Sequence, residues 1–545
     1  MIQKPPKFGS KRFRDIVVLA FEGDPIGALS GFYFMATRRR VRGWSRLMVA
    51  ASKALLNYLR WTRHGEIRCF DEYRQVHRQS ARMGPIVALL LDQHAAESAA
   101  DATIRSLRAA LGDVIICSIA DWEVGRAGLQ ALSEIADRSW VLPIAAGDQV
   151  SPELGDILAR SVDAGAETLI YWDEDRLDQG WRCDPWVKPE WDSLLFGRLG
   201  GLVGASIVPF ALLASSKLSA VDALADTGSI GRRLLDIASC RQPKHIPLIL
   251  THRAGKTKAE APPTLPPAPV FWPSVSIIIP TRDKPDLLAA CLNGVERVQY
   301  AGKLQIILVD NASRDPAALE LLTRYELDPR VLLLRDDGPF NFSRLNNLAA
   351  KAAEGEVLCL LNNDVEPTDG GWLATLARYA VQDGVGAVGA QLVYPNGRIQ
   401  HAGVAIGVGG AAGHVQKGVD PRERSFWTWH GVSREVSAVT AAVMVVKRSA
   451  FIEAGGFDEE FEVAFNDIDF CLRLKQRGLR NIYVAEVRLV HRESESRGDD
   501  RTPPEARRFA AELARLKERW DTANYSDPHF SPLLSRLVER CVLVP

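Results

Sequence analysis

The sequence predicts an α/β protein built on a mostly parallel, Rossmann-like sheet that is flanked by helices. Short apolar runs alternate with helical stretches: residues 274–283 read SVSIIIPTRD, residues 305–315 read QIILVDNASRD, and residues 287–298 and 317–325 suit crossover helices. This alternation is typical of βαβ units, because strands covered on both faces read as nearly continuous apolar runs. A similar order of apolar runs earlier in the chain predicts a second, tandem copy.

A third apolar run, at residues 358–367 (LCLLNNDVEP), ends in the polar residues Asn362, Asn363 and Asp364. Open α/β sheets bind ligands at the carboxyl edge of their strands. Carboxylate and amide oxygens are donors that Mn²⁺ and Mg²⁺ accept together with phosphate oxygens. The pattern indicates a metal site, and an ordinary polar turn after a strand is the alternative.

The second run ends in Asp310 and Asn311. At the end of a strand, these side chains are suited to hydrogen bonds with a ribose or a base edge. The alternative is an Asx turn or a cap for the helix that begins after Asp315.

The segment 436–498 combines an apolar strand, a glycine turn, an acidic helix start and a strand that ends in His491. Asp467, in the helix start, is a candidate general base. Its alternative role is to interact with the positive end of the helix dipole. His491 is placed to reach the same pocket from another side, or it is a buried structural histidine.

Nine segments between residues 274 and 498 resemble, in family order, the inverting glycosyltransferases of family 2, which have the GT-A nucleotide-sugar fold. The similarity is strongest to the bacterial O-antigen and rhamnosyltransferase branch. The segments read IPTRD, LVDNAS, FNFSRLNN, LLNNDVEP, GAVGAQLVYPNGRIQHAGV, SAVTAAVMVVKR, GGFDE, FNDIDFCLRL and HRESESRG.

The resemblance implies a role for each matching residue. Asp467 matches the catalytic base. The metal, Mn²⁺ or Mg²⁺, would be held by Asp364, Asn362 and His491, and Asp364 would carry most of the contact because the amide of Asn362 is a neutral, weaker ligand. The nucleotide pocket would be lined by Thr281, Arg282, Asp310, Asn311, Asn347 and Asn363.

The resemblance also implies a reaction. A metal-dependent, hexosyltransferase-type enzyme would move a sugar, with inversion, from a nucleoside diphosphate donor such as dTDP-rhamnose or a UDP-sugar. The acceptor would be a surface polysaccharide or a lipid-linked glycan. One rival hypothesis is a non-catalytic glycan-binding or scaffold protein of polysaccharide assembly. A sugar nucleotidyltransferase is disfavoured, because the stretch PTRDKPDLL after the first strand lacks the glycines of a triphosphate loop.

The earlier apolar runs indicate a degenerate GT-A-like copy at residues 84–252, joined by a proline-rich linker at 253–273 to the catalytic domain at 274–500. In this copy the metal motif is reduced to Asp148, and we expect neither a base nor a counterpart of His491. Asp173, Glu174 and Asp175 form either a residual sugar or metal site or a charged loop.

Two helical extensions complete the predicted organisation, at residues 1–83 and 501–545. The first 80 residues have 16 Lys and Arg against six Asp and Glu. Residues 27–61 mix these cations with Trp44, Leu47 and Trp61, which predicts basic amphipathic helices for peripheral membrane contact, or a packed helical pair with a solvated basic face. A helix is expected at residues 503–521.

Composition narrows the functional class. The chain has 545 residues, zero formal net charge and eight scattered cysteines without a CxxC pair, which argues against a disulfide framework or a zinc site and favours a reducing, cytoplasmic compartment. We expect no apolar leader and no membrane span. The motifs do not match a nucleic-acid-binding module, so no nucleic acid partner is expected.

Overall fold

The computed structural model describes residues 10–37, 40–54, 57–77, 83–91, 97–118, 139–162, 167–214, 227–255, 265–423, 429–492 and 502–543. These form an N-terminal helical segment, two large β-sheets with flanking helices, a separate two-stranded sheet, and a C-terminal helix with a tail. The α/β class predicted from the sequence is confirmed. Residues 256–264 of the predicted linker and 493–498 of the last family motif lie outside the described residues.

The N-terminal helices are α1 (Ser10–Gly23), α2 (Pro25–Ala36), α3 (Arg40–Ser52), α4 (Asn57–Arg60) and α5 (Glu66–Val76), with a π-helical turn at Trp61–Gly65. The first sheet and its helices are β1 (Ile86–Leu91), α6 (Glu97–Leu111), β2 (Ile115–Ser118), β3 (Trp140–Ala145), β4 (Gln149–Val150), α7 (Leu154–Ser161), β5 (Ile170–Asp178), β6 (Trp181–Trp186), α8 (Ser193–Leu199), β7 (Ser206–Pro209), α9 (Phe210–Ala214), α10 (Thr227–Cys240) and β8 (Lys244–Ala254).

The second sheet and the elements between its strands are β9 (Val275–Thr281), α11 (Pro285–Glu296), β10 (Leu304–Asp310), α12 (Pro316–Glu326), β11 (Val331–Arg335), α13 (Phe342–Ala352), β12 (Val357–Leu361), β13 (Val365–Glu366), α14 (Trp372–Ala380), β14 (Val385–Val393), β15 (Ile399–His401), β16 (Val404–Ile406), β17 (Ala412–His414), β18 (Arg434–Val436), β19 (Val443–Lys447), α15 (Arg448–Glu453), α16 (Asn466–Gln476) and β20 (Arg480–His491). Of these, β16 and β17 pair with each other in the separate two-stranded sheet. The C-terminal helix is α17 (Pro503–Trp520).

The second sheet has the strand order β11-β10-β9-β12-β19-β14-β20-β13, with β15 on β14 and β18 on β20. From β11 to β12 the strands are parallel, as predicted. Beyond β12 the sheet is mixed, because β19 runs antiparallel to both β12 and β14. The parallel half collects the ends of β9, β10 and β12 at one edge, and this edge carries four of the six predicted nucleotide residues: Thr281, Asp310, Asn311 and Asn363.

The first sheet repeats the order from β10 to β13, as β2-β1-β3-β7-β5-β8-β4, and within the described residues it has no counterpart of β11. The strand directions also agree: β1 is parallel to β2 and β3, β7 is antiparallel to β3 and β5, and β8 is parallel to β5 and antiparallel to β4. The two sheets therefore share one topology, in which β1, β3, β4 and β8 correspond to β9, β12, β13 and β20.

The N-terminal helices pack against one another and against the C-terminal tail. Trp44 and Leu47 are buried in a cluster that includes Val538 and Val542 of the tail, and Trp61 is buried in a neighbouring cluster. The sequence-based choice of these three residues for membrane contact is therefore wrong, because their side chains lie in the protein interior. Among the described residues, no helix combines the length and apolar character that crossing a membrane requires.

Candidate active site

Four predicted nucleotide residues lie together where β9, β10 and β12 end. Thr281 and Asp310 are paired across the parallel strands. The Asn363 side-chain amide donates to the Thr281 hydroxyl at 3.1 Å, and the Asn311 backbone amide donates to the Thr281 carbonyl at 2.9 Å. All four residues are buried. The edge is thus a small polar patch on an apolar sheet, which is the usual location of a ligand in an open α/β fold.

Asp310 and Asn311 also fix the loops beside this patch. The Asp310 carboxylate accepts hydrogen bonds from the Ser313 backbone amide at 2.9 Å and from the Arg335 guanidinium at 3.0 Å. The Asn311 side-chain amide donates to the backbone carbonyls of Asp336 and Gly338 at 3.1 and 3.0 Å, and its buried Oδ1 has no hydrogen-bond partner within the described residues. The Asp310 carboxylate therefore forms the predicted turn. The Oδ1 atom of Asn311 is a hydrogen-bond acceptor that the described residues do not use.

Arg282 and Asn347 are placed differently from these four. Arg282 is exposed, and its Nε lies 4.0 Å from the carboxylate of Asp283. The Asn347 side-chain amide donates to the carbonyl of Phe457 at 2.9 Å and to the carboxylate of Glu459 at 3.0 Å, and its Oδ1 accepts from the amide of Phe457. The amide nitrogen and the amide oxygen of the Asn347 side chain are thus both hydrogen-bonded within the protein. The geometry therefore favours a structural role, in which Asn347 holds the turn that contains Gly456.

Asp364 and His491 form a close pair at the other end of the same edge. Their strands pair so that Val365 lies opposite His491. Nδ1 of His491 lies 2.7 Å from Oε1 of Gln400, so the carbonyl oxygen accepts and Nδ1 carries the hydrogen. Nε2 of the same ring then faces Oδ1 of Asp364, 3.1 Å away. When the ring is neutral, lone pairs on both atoms at this separation require a proton or a metal cation between them.

The donors at this edge fit a hard divalent cation. Asn362 adds a buried Oδ1 that lacks a hydrogen-bond partner within the described part of the chain. In the same ranges, no group of three His, Cys, Asp or Glu side chains has the geometry of a complete metal site. A carboxylate, an imidazole and an amide oxygen are ligand types that Mn²⁺ or Mg²⁺ accepts when phosphate oxygens and water complete its shell.

Asp467 lies in the first turn of α16, directly after Phe465 and Asn466. Its carboxylate accepts hydrogen bonds from the backbone amides of Ala441 at 3.0 Å and Ile468 at 2.8 Å. Burial raises the pKa of the Asp467 carboxyl above its ordinary value, and these hydrogen bonds act in the opposite direction. Phe465 has φ of 65°, a left-handed conformation that costs energy in a non-glycine residue and recurs at functional sites.

A short backbone path links the candidate base to the candidate metal edge. The amide of Ala441 donates to Asp467, and the carbonyl of the next residue, Ala442, accepts from the backbone amide of Asn362 at 2.9 Å. The end of β12 and the start of α16 are therefore both bonded to the same two-residue step before β19. This arrangement connects Asp467, whose carboxyl pKa is raised by burial, to the segment that carries the candidate ligands Asn362 and Asp364.

The C-terminal helix holds the loop before Asp467, and the sequence analysis missed this. Glu512 of α17 accepts hydrogen bonds from the backbone amides of Val463 and Ala464, each at 3.0 Å. Asp469, which follows the candidate base, is fully buried and accepts from Arg473, Arg519 and the Trp520 indole. Asp469 therefore joins α16 to α17 and has a structural role. Gln400, which contacts His491, was also not predicted as a site residue, although it lies in the motif GAVGAQLVYPNGRIQHAGV.

Residues 276–439 match the model described as Glycosyl transferase family 2. This segment belongs to glycosyl transferase family 2. Across the chain, the O-antigen biosynthesis protein RfbC of Myxococcus xanthus is 32% identical over 73% of this chain and 34% of its own length. The uncharacterized protein y4gI of Sinorhizobium fredii is 31% identical over 94% of this chain and 62% of its own length. The chain thus spans between about a third and three fifths of these curated relatives.

Two further similarities are more distant. An N-acetylglucosaminyl-diphospho-decaprenol L-rhamnosyltransferase of Mycobacterium tuberculosis is 25% identical over 36% of this chain and 69% of its own length. Among solved structures, a mannosyltransferase from Pyrobaculum calidifontis in complex with GDP-mannose and Mn²⁺ aligns with a TM-score of 0.36 and 20% identity, over 49% of this chain and 70% of that one.

The first sheet contains a counterpart of the edge that carries Asp364 and His491. Gln149, which follows Asp148, pairs with His252 just as Val365, which follows Asp364, pairs with His491. The expectation that this copy lacks a counterpart of His491 is therefore wrong. No sequence motif surrounds His252, so only the strand pairing identifies it as this counterpart.

The Arg253 side chain lies at this N-terminal counterpart. Nδ1 of His252 is hydrogen-bonded to Asp175 at 2.7 Å, so the ring faces β5. The Arg253 guanidinium donates to Glu174 at 2.8 Å and lies 3.8 Å from Oδ2 of Asp148. A side-chain cation therefore lies beside the carboxylate that corresponds to Asp364.

The three acidic residues of β5 lie in a buried ionic network, not in a charged loop. Asp173 contacts His245 at 2.8 Å, and Glu174 is paired with buried Lys188 at 2.9 Å. Asp175 accepts from Tyr58 and Arg182, each at 2.6 Å. Because these carboxylates are engaged by protein cations and donors, the geometry favours a structural network over a residual sugar or metal site.

Proposed function

We propose that the chain is an inverting, metal-dependent glycosyltransferase of the hexosyltransferase type. The observation that carries the proposal is the backbone step Ala441–Ala442, which bonds Asp467 on one side and Asn362 on the other. This step supports the proposal because it connects Asp467, whose pKa is raised by burial, to the candidate ligand Asn362, which lies within the segment matched to family 2.

Asp467 takes the proton of an acceptor hydroxyl as that oxygen attacks the anomeric carbon of the donor. The bond from this carbon to the diphosphate oxygen breaks on the opposite face, so one displacement inverts the configuration. Asp364, His491 and Asn362 would hold the divalent cation, which, when bound, neutralises charge on the diphosphate leaving group. Thr281, Asp310, Asn311 and Asn363 contact the nucleotide, and Arg282 contributes a positive charge from the rim.

The donor we favour is a nucleotide-activated rhamnose, dTDP-rhamnose, with a UDP-sugar as the second choice. The support is the relation to an O-antigen biosynthesis protein and to a rhamnosyltransferase that, by its name, acts on a polyprenol-linked diphosphate. The acceptor is accordingly a surface polysaccharide or a lipid-linked glycan. A cytoplasmic location at the inner face of the membrane agrees with the free cysteines.

We further propose that residues 84–252 form a non-catalytic GT-A-like copy. The support is the shared strand order of the two sheets and the Arg253 guanidinium beside Asp148. Such a copy would contribute to acceptor binding or assembly. Residues 274–500 then form the catalytic domain, with helical extensions at 1–83 and 501–545 and a linker at 253–273.

The test is to incubate the purified chain with Mn²⁺ or Mg²⁺, a panel of nucleotide sugars and lipid-extract acceptors, and to measure released nucleoside diphosphate. The proposal expects release from one donor, abolished by a chelator, and a product of inverted anomeric configuration by NMR. Absence of release with every donor would favour a glycan-binding scaffold. Release of pyrophosphate from a nucleoside triphosphate and a sugar phosphate would instead indicate a nucleotidyltransferase.

A further inference from the structure

Helix α2 presents an apolar face to solvent. Its 12 residues, PIGALSGFYFMA, include no charged side chain, and Ala28 and Gly31 are its buried positions. Ile26, Leu29 and Tyr33 are 81%, 60% and 64% exposed. Their spacing of three and four residues puts them on one side of the helix. A helix of this composition is normally covered, so the exposed side indicates a partner.

Close packing fixes which side of α2 is exposed. A Cβ atom at Gly31 would lie 2.8 Å from the Leu47 side chain, and one at Gly43 would lie 2.4 Å from the Met35 side chain. Since α2 and α3 approach each other through these two glycines, α2 cannot rotate its apolar face inward without losing that contact. The exposure is therefore a property of the packing.

Neighbouring residues of α1 extend the same surface. Val18 and Phe21 are 48% and 39% exposed, and the Phe21 ring stacks on Phe32 of α2 at 6.0 Å between centroids. We define the docking face as Val18, Phe21, Ile26, Leu29 and Tyr33.

Positively charged side chains lie near the docking face. Arg14 is exposed on α1, one turn before Val18, and the Arg42 guanidinium lies 4.7 Å from the centroid of the Phe34 ring. Asp24, at the start of α2, is paired with Lys53 at 2.6 Å, so its charge is largely compensated. With 16 cationic and six acidic side chains in the first 80 residues, this part of the chain is complementary to an anionic surface.

We propose that the docking face binds the interface of an anionic lipid bilayer. Ile26, Leu29 and Val18 enter the acyl boundary, Tyr33 lies at headgroup depth, and Arg14 and Arg42 contact lipid phosphates. A second copy of the chain is the less favourable occupant, because it would bring two basic surfaces together. The inference concerns a surface outside the glycosyltransferase site, and vesicle binding is measured without donor or acceptor, so its failure and that of the proposed function are distinguishable.

The experiment is co-sedimentation of the full chain with vesicles of phosphatidylglycerol and phosphatidylcholine, or of phosphatidylcholine alone. The test variant is Ile26→Ser/Leu29→Ser/Tyr33→Ser. The matched control is Val270→Ser/Phe271→Ser, which changes two side chains, each 89% exposed, in the linker. Equal thermal unfolding midpoints for the three proteins establish that the fold is kept.

We expect the wild type and the control to bind the anionic vesicles, with affinity that falls as salt is added. The triple variant should bind at least about tenfold more weakly, because three apolar side chains no longer leave water. Equal binding of the triple variant and the control would overturn the proposal, as would absence of binding by the wild type. A third outcome would favour a second copy as the occupant and overturn the proposal: the wild type and the control form dimers, the triple variant does not, and none of the three proteins binds vesicles.

Discussion

The backbone amide of Ala441 donates a hydrogen bond of 3.0 Å to the carboxylate of Asp467, and the next residue accepts from Asn362. Two segments that are more than 100 positions apart in the sequence thus meet at one dipeptide. The proposed base and the proposed ligand edge are therefore coupled by the backbone, so that small movements of α16 relative to β12 are restrained.

Transfer activity should rise with pH through the pKa of Asp467. Burial raises this pKa above the ordinary value, and the base accepts a proton only when it is ionised. For stability the sign is opposite, because a charged carboxylate is less favourable in the folded site than in the unfolded chain. The contribution of Asp467 to stability therefore falls as pH rises between the unfolded and folded pKa values. A pH profile of kcat checks the first statement; activity that declines over this rise in pH would contradict it.

Gln400→Leu should weaken metal binding without removing a ligand. The substitution takes away the oxygen that holds Nδ1 of His491, so the ring no longer keeps Nε2 turned toward Asp364. Loss of such an orienting partner typically costs about 10- to 100-fold in metal affinity. The measurement is Mn²⁺ titration by electron paramagnetic resonance with a nucleoside diphosphate present. Asn396→Ala, an exposed change in the hairpin between β14 and β15, is the control; equal affinities would refute the role of Gln400.

Glu512→Ala should lower kcat more than it raises KM for the donor. Glu512 fixes the amides of Val463 and Ala464, just before the left-handed Phe465, and so positions Asp467 without touching substrate. Removing it leaves two amides without a partner, at about 1–3 kcal/mol each when buried. Glu512→Gln, which keeps one acceptor oxygen, should fall between. Exposed Glu518→Ala on the same helix should behave as wild type, and a pure KM effect of Glu512→Ala would argue against positioning.

Much of the catalytic half could be predicted from sequence, because its elements are local. The crossover helices expected at 287–298 and 317–325 correspond to α11 and α12, which begin at Pro285 and Pro316 because proline suits the first turn of a helix. The helix expected at 503–521 is α17. The polar strand ends also lie at one edge, because parallel strands share their carboxyl edge.

The remainder depends on distant contacts that no local pattern encodes. In the sequence, Glu512 is one of several acidic residues of an amphipathic helix, and only the folded structure shows its contact with Val463. Trp44 and Leu47 looked suited to a membrane, yet the C-terminal tail covers them. His252 is identified as the counterpart of His491 only by its pairing with Gln149. Asn347 matches a nucleotide position by motif, whereas its amide is engaged by the backbone of Phe457.

Arg253→Met should destabilise the protein and should not create a metal site. The change removes the guanidinium that lies between Glu174 and Asp148. Because Glu174 keeps Lys188 as a partner, the cost should stay below about 3–5 kcal/mol, which is the cost of an uncompensated buried charge. Arg492→Met is the matched control at the corresponding position, where the partner Glu366 lies 3.4 Å away and both side chains are partly exposed, so the cost there should be about 0–1 kcal/mol. Thermal unfolding compares the two; equal midpoints would contradict the structural role of Arg253.

The most direct test of the account compares Asp467→Asn with Asp469→Asn, two substitutions in the same helical turn. Nucleoside diphosphate release and the thermal unfolding midpoint are measured for both variants. Asp467→Asn should lose about 100-fold or more of the activity with an unchanged or higher midpoint, because a buried charge is removed. Asp469→Asn should lower the midpoint, because Arg473 and Arg519 lose their carboxylate, and should retain measurable transfer. Full activity in Asp467→Asn would contradict the assignment of Asp467 as the base.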